Sequence, residues 1–261
     1  MGAPARIRVD HAIIGCRDLA ASSARLEAAG LRVVPGGDHP GRGTSNALIG
    51  LANGYLELIA YARPEETGPG AVRNSRVAEL VTGAEAWVGF VLHADDMAHA
   101  TSLLAGAPGI GAIAGRDADR RTPSGDLLRW TSAMGQEWEF GTDAPFLITW
   151  PDGSPSLDAT AGDLVAVVVN SPEGRLPEIL RRCGHAPRSE AGGAAFWDLD
   201  GGPTLITVAD GRAAGVVGAA LRRPDAAPAD VGPDDVAWLL GRPSTGAVTF
   251  TPRGGVEWVT T

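Results

Sequence analysis

The chain of 261 residues contains no lysine, and all 22 of its basic residues are arginine. Without lysine there is no amine for a Schiff base, no lysine general base and no lysine for a phosphate-binding loop. Pyridoxal enzymes, lysine-dependent aldolases and ordinary P-loop enzymes are therefore excluded.

Cysteine and long apolar runs are also scarce. Cys16 and Cys183 follow no metal-binding spacing, so we expect two buried free thiols, with a disulfide as the alternative. No stretch approaches the roughly 20 apolar residues that cross a bilayer. The N-terminus also shows no apolar segment followed by a cleavage site. These features predict a cytoplasmic protein with no membrane partner.

Acidic residues outnumber basic ones by 31 to 22, which gives a formal net charge of −9. A nucleic-acid-binding protein needs a basic patch that displaces counterions, and the sequence offers none. We therefore expect no nucleic-acid partner. The hydrophobic fraction of 44% is that of an ordinary globular protein with one large or two small domains.

One order of elements recurs along the chain. An apolar run predicts a strand, a polar N-cap predicts the start of a helix, and a glycine predicts its end. The copies begin at Val9, Trp87 and Leu164; their caps are Asp18, Asp95 or Asp96, and Ser171; their stops are Gly30, Gly106 and Gly184.

Short strands follow each helix, separated by turns rich in glycine and asparagine. The predicted strands are 31–34, 46–51 and 55–60, then 110–114, 127–132 and 137–141, then 195–199 and 204–209. A degenerate fourth copy comprises strand 215–222, helix 233–240 and strands 247–251 and 256–260.

The predicted fold class is α+β, built from repeated βαβββ modules. Because one module cannot cover its own apolar sheet face, modules should pair around a shared cavity. We predict a domain at 1–150 with modules at about 6–62 and 85–150, and a C-terminal region at 151–261 with one to two degenerate modules. The segment 150–160 is predicted to link them.

Several short motifs resemble the glyoxalase-like branch of the vicinal-oxygen-chelate superfamily over roughly residues 8–150. They are Val9-Asp10-His11, Gly36-Gly37-Asp38-His39-Pro40, Gly43-Thr44-Ser45-Asn46, Tyr55-Leu56-Glu57-Leu58, Arg121-Thr122-Pro123-Ser124-Gly125 and Pro145-Phe146-Leu147-Ile148-Thr149-Trp150. The resemblance implies paired modules that form a half-open β-barrel around a divalent metal, with ligands from the first and last strand of each module.

In the first module those ligand positions are His11 and Glu57. Alignment of the second module puts Gly89 opposite His11 and Glu139 opposite Glu57. The expected metal set is therefore His11, Glu57 and Glu139, for Zn, Fe, Mn or Ni. The alternatives are a hydrogen-bonded core histidine beside Asp10 and a glutamate on the polar face of a strand.

Two residues are candidates for proton transfer. His39 lies in a glycine-rich turn, where it replaces the missing ligand, acts as a general acid or base, or simply faces water. Glu57, if it points inward without a metal, serves as an acid or base. His93 shares a strand face with Gly89 and is a weaker ligand candidate.

Four residues are candidates for substrate binding. Arg121 is expected to clamp a carboxylate or phosphate, and Thr44 and Asn46 to donate to a substrate oxygen. Trp130 is expected, with Trp87, Trp138 and Trp150, to form an aromatic wall. The alternatives are loop, turn and core roles respectively.

Two functions remain open at this point. The first is an enzyme whose divalent metal chelates substrate oxygens for lyase, isomerase or dioxygenase chemistry. The second is a metal-free protein that binds or sequesters small molecules, as in drug resistance. Both imply a small-molecule partner, and both are compatible with a homodimer. Leu164 and Ile206 fall at the His11 and Glu57 positions of the third module, so one active cleft is expected, in the first pair.

Overall fold

The computed structural model describes residues 3–66, 68–122, 125–153, 157 and 161–261. They form an eight-stranded and a seven-stranded sheet. The first sheet contains β1 (Ile7–Cys16), β2 (Val34–His39), β3 (Thr44–Leu51), β4 (Gly54–Tyr61), β5 (Glu85–Ala94), β6 (Arg116–Arg121), β7 (Leu127–Ala133) and β8 (Phe146–Thr149). The second contains β9 (Asp163–Asn170), β10 (Ser189–Ala191), β11 (Ala194–Trp197), β12 (Thr204–Val208), β13 (Gly215–Arg222), β14 (Thr249–Arg253) and β15 (Val256–Thr260). The helices are α1 (Leu19–Ala28), α2 (Pro69–Asn74), α3 (Arg76–Leu80), α4 (Met97–Leu104), α5 (Arg175–Arg182) and α6 (Pro233–Leu240).

Each sheet consists of two modules joined along their first strands. In the first sheet β1 and β5 run antiparallel at the centre, with β4 parallel to β1 and β8 parallel to β5. In the second sheet β9 and β13 take the central positions, with β12 parallel to β9. The predicted α+β fold of paired βαβββ modules is therefore confirmed. In the fourth module only β14 and β15 follow α6, so β15 runs antiparallel to β13.

Local signals set the helix ends as predicted in the first two modules. Asp18 accepts a hydrogen bond from the backbone N–H of Ala21, and Asp96 from that of His99. Gly30 and Gly106 end the helices with φ of 83° and 73°, which a residue without a Cβ adopts readily.

The third helix begins later than predicted. Gly174 is the N-cap of α5, and Ser171 lies in the turn before it. The Ser171 hydroxyl still accepts from the backbone N–H of Leu176, and it donates to the buried carboxylate of Asp143. The serine therefore holds the start of the helix against the first sheet.

Two strands predicted in the second module are wrong. The positions 110–114 and 137–141 are turns and loops, and the strands are β6 and β8 instead. β6 was missed because it is a charged edge strand without apolar alternation, and β8 because it is only four residues long. Trp138 is not a strand residue; its indole N–H donates to the carbonyl of Ala144 within the core.

Some predictions fall partly outside the described residues. Residues 154–156 and 158–160 of the predicted linker lie there, as do 123 and 124 of the 121–125 motif. Cys16 and Cys183 are both buried free thiols, as predicted. Across the described ranges, no helix has the length and apolar character needed to span a bilayer.

The second sheet has helix α6 where the first sheet has its cavity. The pairs β1·β5 and β9·β13 have β-bulges at corresponding positions. When the two sheets are aligned on these bulges, Ala166 is equivalent to His11 and Ile206 is equivalent to Glu57. The first assignment corrects Leu164, whereas the second agrees with the prediction. Both residues pack in an apolar cluster with Val236 and Leu239 of α6. The second module pair therefore fills its own concave face with a helix.

Replacing Leu239 with alanine should lower the free energy of unfolding by about 2–5 kcal/mol, because it opens a void in that cluster. Leu239 is 2% exposed, whereas Leu127, the matched control, is 37% exposed. Urea unfolding of both variants measures the difference. Equal losses would contradict the packing of α6 against the second sheet.

Candidate active site

A cavity of about 80 Å³ opens on the concave face of the first sheet. Its strand residues follow the two-residue period that points alternate side chains to one face. They are His11 and Ile13 of β1, His39 of β2, Asn46 and Leu48 of β3, Tyr55, Glu57 and Ile59 of β4, Arg120 of β6, Trp130 and Ser132 of β7, and Phe146 and Ile148 of β8. The lining is therefore largely apolar, with a polar strip along β1, β3 and β4 and single polar residues on β2, β6 and β7.

His11 and Glu57 meet at the centre of this strip. The parallel register of β1 and β4 sets Glu57 beside Ile13, and His11 Nε2 lies 3.3 Å from Glu57 Oε2. His11 is 3% exposed and Glu57 is 7% exposed. A buried carboxylate needs a partner, and this one has the imidazole.

A β-bulge brings a second carboxylate to the same imidazole. The pairing of β1 with β5 shifts between Val9 and His11, so Asp10 is the extra residue. Its Oδ1 lies 2.6 Å from His11 Nδ1, and its Oδ2 accepts from the indole N–H of Trp150 at 3.1 Å. Both ring nitrogens of His11 therefore face carboxylates.

These contacts fix the charge state of the pair. Burial alone lowers the pKa of His11, but hydrogen bonds and charge from Asp10 and Glu57 outweigh it and raise that pKa well above the ordinary 6.5. Burial alone raises the pKa of Glu57, but its contacts with His11 outweigh that effect and lower it. At neutral pH the pair is an imidazolium and a carboxylate. Tyr55 stacks on the imidazole with ring centroids 4.2 Å apart.

A hydrogen-bond chain continues from Glu57 to an arginine. Asn46 donates from Nδ2 to Glu57 Oε1 at 2.6 Å, and its Oδ1 accepts from Arg120 Nη1 at 3.0 Å. Arg42 also lines the cavity. Burial lowers the pKa of both guanidinium groups, while the charge of Glu57 acts in the opposite direction. The cavity thus presents two guanidinium groups, in addition to the His11 imidazolium, beside the Glu57 carboxylate.

Strand alternation explains why Arg120 lines the cavity and Arg121 does not. Arg116 and Arg120 lie on the same face of β6 because they are four residues apart. Arg121 is exposed and donates to the carbonyl of Gly125. Arg121, predicted as the anion clamp, therefore does not line the cavity, whereas the preceding residue Arg120 does.

His39 lies at the end of β2, not in a turn as predicted. Its Nδ1 is 2.9 Å from the hydroxyl of Thr44, its partner across β3. That hydroxyl accepts from Asn74 Nδ2 at 3.4 Å, so its own hydrogen is available to the imidazole. When the hydroxyl donates to Nδ1, neutral His39 carries its hydrogen on Nε2, the other ring nitrogen. Thr44 is fully buried, contacts His39 and is not among the residues that line the cavity.

His39 should remain neutral throughout the physiological pH range. Burial is the largest effect and lowers the pKa of His39, and the charges of Arg120, Arg42 and Arg63 lower it further. The charge of Glu57 acts in the opposite direction, and the resulting pKa is about 4. A ¹H–¹⁵N NMR titration of the ring between pH 5 and 8 should show no protonation step. A midpoint near the ordinary 6.5 would contradict this environment.

Two of the four tryptophans proposed as an aromatic wall line the cavity. Trp130 and Trp150 have ring centroids 5.8 Å apart and both line the cavity. Trp87 and Trp138 are buried in the core of the first sheet. The wall therefore consists of one pair.

The second module contributes no polar group at the positions equivalent to His11 and Glu57. In the antiparallel pairing of β1 with β5, Ile13 lies opposite Gly89 and His11 lies opposite Val91. Because β1 and β5 are the first strands of their modules, Gly89 takes the same place in β5 as His11 takes in β1. Val91 pairs with Phe146, so Phe146 is the equivalent of Glu57. Glu139 is exposed in a loop outside the cavity lining. Its assignment as a metal ligand is therefore wrong, because the last strand is β8.

The family model of the glyoxalase-like domain matches residues 9–182, about two thirds of the chain. The chain belongs to the glyoxalase-like domain family. This places it in the vicinal-oxygen-chelate superfamily, as the motifs predicted. The match extends beyond the cavity-forming sheet to the end of α5. A search of curated proteins gave no match.

Solved structures similar to this glyoxalase-like protein have low sequence identity to it. A hypothetical protein from Staphylococcus aureus is 16% identical with a TM-score of 0.64, covering 80% of this chain and 88% of its own. A methylmalonyl-CoA epimerase from Mycobacterium tuberculosis is 15% identical with a TM-score of 0.36, covering 57% and 91%. A xylose isomerase-like TIM barrel/4-hydroxyphenylpyruvate dioxygenase fusion protein is 15% identical with a TM-score of 0.46, covering 83% and 36%. The first likeness concerns the fold, and the other two are too distant to bear on the chemistry.

The side chains of the glyoxalase-like cavity do not fit the divalent metal that the resemblance implies. His11 and Glu57 are suitable ligand types, but Gly89 and Phe146 have no donor atom. A catalytic metal ordinarily has at least three protein ligands. Within the described ranges, no three His, Cys, Asp or Glu side chains are grouped to hold an ion. His93 lies near Asp95 instead, at 3.4 Å.

Arg42, Arg120 and Phe146 were not predicted as site residues. The alternation of arginines at 116 and 120 in β6 would have pointed to Arg120, had that strand been recognised. No sequence signal marks Arg42, which enters the cavity from the turn after β2.

Proposed function

We propose that this protein is a small-molecule enzyme that moves a proton at a carbon beside a carbonyl or carboxylate group. This is the chemistry of isomerases, epimerases and some lyases. The observation that carries the proposal is the Glu57 carboxylate, which faces the cavity between His11 and the Asn46–Arg120 chain. A positioned carboxylate beside cations is the arrangement that proton abstraction from a carbon acid requires.

Glu57 is the general base in this proposal. Its pKa is lowered by the cations around it, and a substrate anion bound by Arg120 and Arg42 would offset part of their charge. The pKa of Glu57 would then rise toward the range of an effective base. Asp10 fixes the His11 ring from the other side, so the carboxylate keeps its orientation.

Arg120 and His39 stabilise the negative charge that develops on the substrate oxygen. The guanidinium supplies full charge, and the neutral imidazole supplies an N–H donor from Nε2. Both act from a largely buried cavity, where such interactions are stronger than in water. The charge stabilisation that a metal provides elsewhere is here assigned to these side chains.

The size of the cavity favours a small substrate, or the tip of a larger one. Its volume of about 80 Å³ is well below the roughly 300–1,000 Å³ of sites that enclose drug-sized ligands. Trp130 and Trp150 support the alternative of a binding protein, since paired aromatic rings hold flat apolar groups. The polar strip at Glu57 has no role in that alternative.

Exchange of substrate protons for solvent deuterium tests the proposal without a known product. The protein would be incubated in D₂O with a panel of small 2-hydroxy, 2-oxo and 2-methyl carboxylic acids and their thioesters, followed by ¹H NMR. Catalysed loss of the C2 proton signal in at least one compound is the expected result. Quenching of tryptophan fluorescence without exchange in any compound would favour the binding protein.

A further inference from the structure

A second opening continues from the cavity and is lined by arginines. This arginine groove, defined by Arg42, Arg73, Asn74, Arg116, Ser132 and Gln136, has a volume of about 480 Å³. Arg42, Asn74, Ser132 and Met134 line both the groove and the cavity. The two spaces are therefore adjacent, as binding of one extended ligand across both would require.

The charge of the groove contrasts with that of the protein. Three arginines line it, and none of its lining residues is an Asp or Glu, in a chain with a net charge of −9. Neighbouring arginines in the sequence are neutralised: Arg63 pairs with Asp38 and Glu66, and Arg76 pairs with Glu79. Within the described part of the chain, no carboxylate lies within ion-pair distance of the three groove arginines.

Different elements place these three cations together. Arg116 starts β6 directly opposite Ser132 of β7, on the face that also carries Arg120. Arg73 lies on α2, and its Nη1 is 3.7 Å from Met134 Sδ. Arg42 is in the turn between β2 and β3. Like charges held in one groove repel each other, and a bound anion removes that repulsion.

We propose that the arginine groove binds an oxyanion group, a phosphate or a second carboxylate, on the tail of the substrate. Guanidinium groups bind both kinds of oxyanion through paired N–H donors, and Asn74, Ser132 and Gln136 add neutral polar groups. The inference rests on the proposed function, since the tail would hold the reacting carbon against Glu57.

Binding of simple anions tests the groove independently of catalysis. Isothermal titration with pyrophosphate, inorganic phosphate and glutarate at low ionic strength would compare wild type with the Arg73→Gln/Arg116→Gln double variant. The matched control is Arg6→Gln/Arg129→Gln, which removes the same charge from side chains that are 69% and 61% exposed. We expect an affinity loss of about tenfold or more in the groove variant and little change in the control.

The same titrations separate the two anion sources and the two proposals. Tighter binding of pyrophosphate assigns a phosphate tail, and tighter binding of glutarate assigns a carboxylate tail. Glu57→Gln should retain anion binding even though it removes proton exchange. Absence of binding for all three anions, or equal losses in groove and control variants with matched circular dichroism spectra, would overturn the inference.

Discussion

Replacing Glu57 with glutamine is expected to slow substrate proton exchange by roughly 10²–10⁴-fold, the contribution typical of a general base. Glutamine has nearly the same shape and keeps an acceptor for Asn46, whose Nδ2 lies 2.6 Å from Glu57 Oε1. It cannot accept a proton at neutral pH. The loss should appear in the exchange rate at saturating substrate, because Arg120 and Arg42 still bind the anion.

Glu139→Gln is the matched control for this experiment. Glu139 is exposed in a loop after β7 and lies outside the cavity, so the exchange rate should stay within about twofold of wild type. A Glu57→Gln variant that is folded and retains the wild-type rate would assign the base to another residue. Equal losses in both variants would place the chemistry away from the first-sheet cavity.

Replacing Asp10 with alanine is expected to lower the free energy of unfolding by about 3–5 kcal/mol, the range for removing one partner of a buried ion pair. The change leaves the His11 imidazolium with Glu57 alone and leaves the indole N–H of Trp150 without its acceptor. The pKa of His11 should fall, because Asp10 contributes a hydrogen bond and charge that raise it. Denaturant unfolding and NMR titration of the ring measure the two effects.

The cost of losing Asp10 should depend on pH with a definite sign. A histidine whose folded pKa is raised stabilises the fold fully below the unfolded value of 6.5. That contribution is lost as the pH rises through the higher folded pKa of His11. The difference between wild type and Asp10→Ala should therefore be largest in mildly acidic solution and shrink in alkaline solution.

Asp95→Ala provides the control for that prediction. Asp95 is 38% exposed at its side chain and pairs with Arg6 and Arg8 at the surface. Exposed pairs contribute about 0–1 kcal/mol, so the variant should stay close to wild type. A cost for Asp10→Ala no greater than this would mean that the His11 ring is not charged between two carboxylates.

The sequence predicts the modular fold well, because its signals are local. Asp18 and Gly30 bound the first helix through cap geometry, and the apolar run around Val9 defines the central strand. The contact between His11 and Glu57 was expected from the family resemblance, which puts functional side chains on the first and last strands of one module.

The remaining features depend on relations that no local pattern encodes. Phe146 takes the position expected for Glu139 because the second module ends in the short strand β8. Arg120, not Arg121, lines the cavity because side-chain direction changes with every residue in β6. Helix α6 carries an ordinary amphipathic pattern, and only tertiary packing shows that it fills the concave face of the second sheet.

Proton transfer without a metal is tested most directly by the exchange rate after exhaustive chelation, combined with elemental analysis of protein purified without chelators. Because the second module supplies no ligand opposite His11 and Glu57, exchange should persist after EDTA dialysis, with metal well below one equivalent per chain. Two results together would contradict metal-free proton exchange. They are one bound ion per chain that is lost in His11→Ala, and exchange that stops on chelation and returns when the metal is restored.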